Sequence, residues 1–203
     1  MKYLIMHGSF ASPDSNWFRW LETELKTKGH DVILEQFPTD NWNELDKLGR
    51  NHRDEWKPTQ SIVSWSNYFQ QHVLPKLVKE PVVFIGHSIA PVFLLHMLEK
   101  YSFKVKLAIF VAPFFEIPDN DNWQFFPVNK TFYKSDFDFE KLRKNIARSY
   151  VIYGDDDPYV PTAQLLEFAK QLNSTAIIVK NGGHLGGKYT QLPLILELIE
   201  KEL

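Results

Sequence analysis

Three side chains in this sequence have the types and the chain order that acyl-transfer chemistry needs. Ser88 stands in Val82-Val83-Phe84-Ile85-Gly86-His87-Ser88-Ile89-Ala90, an apolar run that turns at Gly-His-Ser into helical spacing. A strand entering Gly-x-Ser-x-small, with a helix following at once, is the context of a nucleophile elbow. The sharp turn pushes the hydroxyl out at the strand's end, and small flanking residues let strand and helix approach. A serine hydroxyl is a weak nucleophile, so it needs a base, and the base needs a carboxylate to orient it. In this strand–turn–helix arrangement the carboxylate and then the histidine follow the serine. Tyr153-Gly154-Asp155-Asp156-Asp157-Pro158 and Asn181-Gly182-Gly183-His184-Leu185-Gly186-Gly187 supply them in that order. Pro158 biases Asp157 toward extended backbone, so Asp157 is the expected orienter and Asp156 the alternative. Asp155 is expected to cap the turn or stay solvated. His184 is the expected base among seven histidines, while His7 and His87 lie on neighbouring site loops.

A tetrahedral oxyanion needs two backbone donors. The amide after the nucleophile, Ile89, is one. The other is expected from His7-Gly8-Ser9-Phe10, at Ser9, with Phe10 the alternative. Phe10, Phe114, Phe115, Trp123, Phe126 and Tyr159 flank expected strand ends and are candidates to wall the substrate pocket. Of nine glycines, seven fall in the proposed site loops (Gly8, Gly86, Gly154, Gly182, Gly183, Gly186, Gly187), where unusual backbone is expected. Phosphate-cradling, dinucleotide-binding and His-Glu-x-x-His patterns are absent.

The elements that must carry these residues alternate regularly. Apolar runs at 2–6, 31–36, 82–85, 105–111, 149–153 and 176–179 read as buried strands. Helical stripes occupy 15–28, 61–78, 88–98, 161–172 and 193–203. Six strands alternating with helices predict an α/β class, a three-layer α/β/α sandwich around a mostly or wholly parallel sheet. Segments 38–60, polar, and 114–138, rich in aromatics, break the rhythm and read as loops above the sheet. One domain, spanning 1–203, is expected, with no large lid.

Composition narrows the function. The 203 residues carry 23 basic and 25 acidic side chains, with 44% hydrophobic and 15% aromatic residues. A net charge of −2 does not suit a nucleic-acid binder. There is no cysteine, which removes disulfides, thiolate metal sites and a cysteine nucleophile. Only Tyr3-Leu4-Ile5-Met6 is apolar before His7, too short for a secretory core, and no run reaches membrane-span length. A soluble, cytoplasmic protein with no metal, no cofactor, no membrane contact and no nucleic-acid partner is expected. A protein partner is left open.

Several of these segments together resemble the small serine hydrolases of the retinoblastoma-binding-protein-nine type, in the α/β-hydrolase superfamily. They are His7-Gly8-Ser9-Phe10, Asn16-Trp17-Phe18-Arg19-Trp20-Leu21, Gly86-His87-Ser88, Val111-Ala112-Pro113-Phe114, Asp156-Asp157-Pro158-Tyr159-Val160-Pro161 and Gly183-His184. The resemblance implies Ser88 as nucleophile, Asp157 as orienter and His184 as base. It also implies a reduced six-stranded sheet in the order 2-1-3-4-5-6. Arg19 stands where that family often has proline, Ala90 replaces a glycine, and the 41–58 stretch is longer and more polar than expected. The reading is a hydrolase of small carboxylic esters, with small amides as further substrates, working at a shallow site suited to short acyl groups. Its rivals are a catalytically silent interaction protein on the same scaffold and an acyltransferase using the same three residues.

Overall fold

The computed structural model describes residues 1–77, 80–101, 103–117 and 121–203. Strands β1 (Lys2–Met6), β2 (Asp31–Leu34), β3 (Val82–His87), β4 (Val105–Val111), β5 (Ser149–Gly154) and β6 (Thr175–Val179) form one six-stranded sheet. Every pairing is parallel and the order is β2-β1-β3-β4-β5-β6. Period-two alternation splits the strands' side chains between two cores. Leu4, Met6, Phe84 and Phe110 join one, while Tyr3, Ile5, Val83, Ile85 and Ile109 join the other. Helices α1 (Phe18–Thr27) and α9 (Pro193–Glu202) cover the second face. Helices α3 (Ile62–Tyr68), α5 (Ala90–Lys100), α7 (Phe139–Asn145) and α8 (Thr162–Gln171) cover the first. The sequence expectation of a doubly covered parallel sheet holds.

Four local features differ from it. Segment 38–60 is not plain loop: it contains α2 (Trp42–Leu48), whose Asn41 cap accepts from Asn43 N at 2.9 Å, and a 3-10 turn at Arg50–Glu55. The helix expected over 61–78 is interrupted by a π turn, Phe69–Val73, before a short α4 (Leu74–Leu77). Pro75 has no N–H to give back to the preceding turn, and widening that turn relieves its clash. Val78 lies outside the described residues. Strand β6 is an exposed edge, with Ile178 at 60% exposure, so its apolar run does not mark burial on both faces. The aromatic 114–138 segment holds α6 (Phe125–Asn129) and a 3-10 turn, Lys130–Phe132. Its residues 118–120 lie outside the described set. No described helix is long and apolar enough to cross a membrane.

Candidate functional site

The loops at the carboxyl ends of β1, β3, β5 and β6 converge on Ser88. Ser88 itself has φ 63°, a left-handed conformation that a side chain adopts only under compulsion. Its N–H is held by Val111 O at 2.9 Å. Gly86 is required for contact rather than for φ: a Cβ there would stand 2.4 Å from the Phe84 ring. Ala90 is fully buried at the start of α5, so the extra methyl is accommodated. Other strained residues gather nearby. Phe10, Asn16, Asn181 and Leu185 also have positive φ and all lie in the converging loops.

Ser88 Oγ–H donates to His184 Nε2 at 3.1 Å, and His184 Nδ1–H donates to Asp157 Oδ2 at 2.7 Å. The other Asp157 oxygen accepts from the amides of Tyr159 at 2.9 Å and Val160 at 3.0 Å. Burial alone would push the Asp157 carboxyl up. The His184 hydrogen bond and charge, with the two amides, outweigh it and hold the carboxyl below its usual range. Ser88 is 5% exposed, the His184 side chain 12% and the Asp157 side chain 1%. The chain of bonds is therefore largely shielded from water, with His184 its most exposed member. It can pass a proton from Ser88 to His184 while Asp157 holds the ring.

Each of the three consecutive aspartates grips the histidine loop. Asp155 accepts from Asn181 N at 2.7 Å and Asp156 from Gly183 N at 2.7 Å, while Asp157 takes the imidazole. Asp155 is an exposed turn residue, as expected, and its carboxylate caps the loop opposite. The opposite side of the loop is fastened by α1's entry. Asn16 Oδ1 accepts from Gly187 N at 2.7 Å, and Trp17 Nε1–H donates to Leu185 O at 2.9 Å. Gly154 and Gly182 permit the β5 end and the loop to touch, since a Cβ on Gly154 would lie 2.2 Å from Gly183 O. The site glycines mostly serve close approach, and only Gly183 and Gly187 among them take positive φ.

Two further histidines frame the site. His87 Nε2–H donates to His184 O at 2.8 Å, and burial pushes its imidazole down to about 3. His7 Nδ1–H donates to Gly8 O at 2.9 Å, and its Nε2 accepts from Phe37 N at 3.0 Å. Burial lowers the His7 value despite the Gly8 bond, so both rings stay neutral. Gly8 lies against Ser88, because a Cβ there would be 2.8 Å from Ser88 Cβ and 3.3 Å from Ser88 Oγ. Among the described residues, no acceptor takes the N–H of Ser9 or of Ile89. Nor do these residues contain three or more His, Asp or Glu grouped to hold a metal ion.

With this geometry in view, comparison with known proteins is decisive on one point: the family described as serine hydrolase matches residues 3–201. The chain belongs to the serine hydrolase family. No curated protein matches it. Among solved structures it resembles the ydeN gene product of B. subtilis, with TM-score 0.75, 23% identity, and coverage of 99% of this chain and 97% of that one. A hydrolase from Oleispira antarctica aligns at TM-score 0.63 and 13% identity, over 98% and 90% of the two chains. Carboxylesterase CesB of Bacillus subtilis aligns at TM-score 0.60 and 13% identity, over 99% and 82%. These likenesses establish the α/β-hydrolase fold.

In this serine hydrolase the aromatic candidates separate. Tyr159 sets its ring edge-on to His184, with centroids 5.2 Å apart. Phe125 packs against Tyr159 at 5.2 Å and against Phe10 at 5.6 Å, and Trp42 joins both Phe10 and Phe125. All four are partly exposed and form a wall leading away from His184. Four expected wall residues belong elsewhere. Phe114 is fully buried in the main core, and Phe115 stacks on Phe168 of α8 at 4.7 Å. Trp123 is buried with Leu45 and Val128. Phe126, half-buried, lies between the Arg53 and Lys130 cations, at 5.6 and 5.8 Å from its ring. Sequence reasoning missed Phe125 and Trp42. The available signal was only that each opens a short helix beside a site loop.

Proposed function

We propose that this serine hydrolase cleaves small carboxylic esters, and small amides, through an acyl-enzyme on Ser88. The observation that carries the reading is the bond chain from Ser88 at φ 63° through His184 to Asp157, at 3.1 and 2.7 Å. Ser88 Oγ attacks the carbonyl carbon as its proton passes to His184 Nε2, and Asp157 stabilises the imidazolium. The amides of Ser9 and Ile89 receive the oxyanion. Collapse breaks the ester bond, and the departing alcohol takes the proton from His184. Water then attacks the acyl-enzyme, gives a proton to His184, and the carboxylic acid leaves as Ser88 regains its hydrogen. His87 and His7 stay neutral and hold backbone, leaving His184 as the base at the nucleophile.

The reading extends to a single domain without a large lid, an open site and short acyl groups. The wall of Phe10, Phe125, Tyr159 and Trp42 supports it by being partly exposed rather than closed over. The reading also takes the protein to be cytoplasmic, a setting with which the cysteine-free sequence is compatible.

The test is labelling with a fluorophosphonate, wild type beside Ser88→Ala, followed by a p-nitrophenyl ester series from acetyl to decanoyl. The expected result is an adduct on Ser88 that the variant lacks, faster turnover of acetyl and butyryl esters than of decanoyl, and activity unaffected by EDTA. An unlabelled, folded wild type would overturn the reading in favour of a silent scaffold. Faster turnover of the long chain would overturn the open, short-acyl site.

A further inference from the structure

Three side chains from distant segments meet beside the Gly8–Ser9 peptide. Ser9 Oγ–H donates to Asn129 Oδ1 at 2.6 Å. Gln60 Nε2–H donates to Ser9 Oγ at 2.9 Å and to Asn129 Oδ1 at 2.8 Å. Gln60 and Asn129 are both fully buried. Among the described residues, Gln60 Oε1 and Asn129 Nδ2 find no partner at all. Reversing both amides preserves the triangle and still strands one oxygen and one nitrogen. Each stranded atom is destabilising, because it gives up its hydrogen bonds to water and gains none in the fold. A core selected for stability alone would place apolar groups there, so the triangle is retained for something else.

Its position indicates what. The Gly8–Ser9 peptide is trans and planar, so its carbonyl and its N–H point in opposite directions. His7 Nδ1–H holds the carbonyl at 2.9 Å, and the triangle holds Ser9 from its side chain. The direction of the Ser9 N–H is thereby set from both ends of the residue. Gln60 is itself fixed by Asp40, whose carboxylate accepts from Gln60 N and from Thr59 N, both at 2.9 Å, and from Trp56 Nε1 at 3.1 Å. Asn129 is the last residue of α6 and Phe125 is the first, one turn away, against Tyr159, whose own ring meets His184.

We propose that Gln60 and Asn129, acting through the Ser9 hydroxyl, are positioning residues that aim the Ser9 amide at the oxyanion and tie it to the helix bearing Phe125. The proposal rests on Ser88 being the nucleophile and the Ser9 amide an oxyanion donor.

The test is a double-mutant cycle of Ser9→Ala and Asn129→Leu, with Asn129→Ala as a second variant in case leucine disturbs folding. Each protein is checked for melting temperature, for kcat and KM on p-nitrophenyl acetate, and for inhibition by an alkyl boronic acid, whose Ser88 adduct mimics the tetrahedral state. Each single change is expected to lower kcat about tenfold with KM nearly constant. The double variant is expected to lose no more than either single one, since both break the same linkage. Boronic acid affinity should fall by the same factor. Independent, multiplying losses, or losses confined to melting temperature or KM, would overturn the positioning role while leaving the hydrolase reading intact. A wild type that fluorophosphonate does not label would overturn both.

Discussion

Asp156 and Asp157 have the same chemistry and adjacent positions, yet they hold different atoms of one loop. Asp157 holds the imidazole and Asp156 the Gly183 amide. Asp157→Asn would keep the shape but favour the wrong imidazole tautomer, and kcat should fall by about 10³–10⁴. Asp156→Asn keeps an acceptor for the same amide and should cost less than about tenfold. Ester kinetics on the two variants separate them, and equal losses would refute the assignment. Gly8 is a second residue whose effect is local. Its added methyl would meet Ser88 Cβ at 2.8 Å, pressing on the nucleophile and on the neighbouring Ser9 amide. Gly8→Ala should lower kcat by on the order of 10² and lower the melting temperature as well, because Ser88 Cβ can yield only with its backbone; ester kinetics beside a melting curve check both.

At the level of elements, the histidine loop is a part assembled from outside. It lies between β6 and α9 and is fastened to the β5 loop by Asp155, Asp156 and Asp157, to α1's entry by Asn16 and Trp17, and to β3's end by His87. This explains why the Asn16-Trp17 pair belongs to the recognisable pattern although neither touches the nucleophile. The tightest junction is Gly154 against Gly183. A methyl on Gly154 would press on backbone, 2.2 Å from Gly183 O, with no flexible side chain to yield. Gly154→Ala should therefore destabilise the protein by about 1–3 kcal/mol and slow catalysis together. A urea midpoint measured alongside kcat checks this, and loss of either one alone would contradict the junction.

For the whole molecule, the buried histidines make stability depend on pH. An unfolded His87 titrates near its ordinary 6.5, but the folded one only at about 3. Between those values the unfolded chain binds the proton and the folded chain does not, so stability falls as pH drops below about 6.5. His7, also lowered, acts in the same direction, and Asp157 adds a loss at pH values below the usual carboxylate range. His87 contributes a slope of up to about 1.4 kcal/mol per pH unit. Urea midpoints from pH 7 to 4.5 should decline, and His87→Gln should decline less steeply. Parallel slopes would show that His87 does not stay neutral in the fold.

The order of serine, aspartate and histidine, and the strands and helices around them, are written in local sequence. Apolar runs and stripes depend on residues within a few positions, and most burial follows from them, the exposed edge strand β6 excepted. The parallel sheet then brings the ends of its strands to one edge, which collects Ser88, Asp157 and His184 although they are 96 and 27 residues apart. What needed the tertiary structure was direction. Three adjacent aspartates look alike until the loop opposite shows which amide each one meets. Phe114, Phe115 and Trp123 have the same chemistry as Phe10, Phe125 and Tyr159, and an aromatic ring serves a core or a site wall equally well. Gln60 and Asn129 carried no local signal, because an amide side chain acquires meaning only from partners that packing brings beside it.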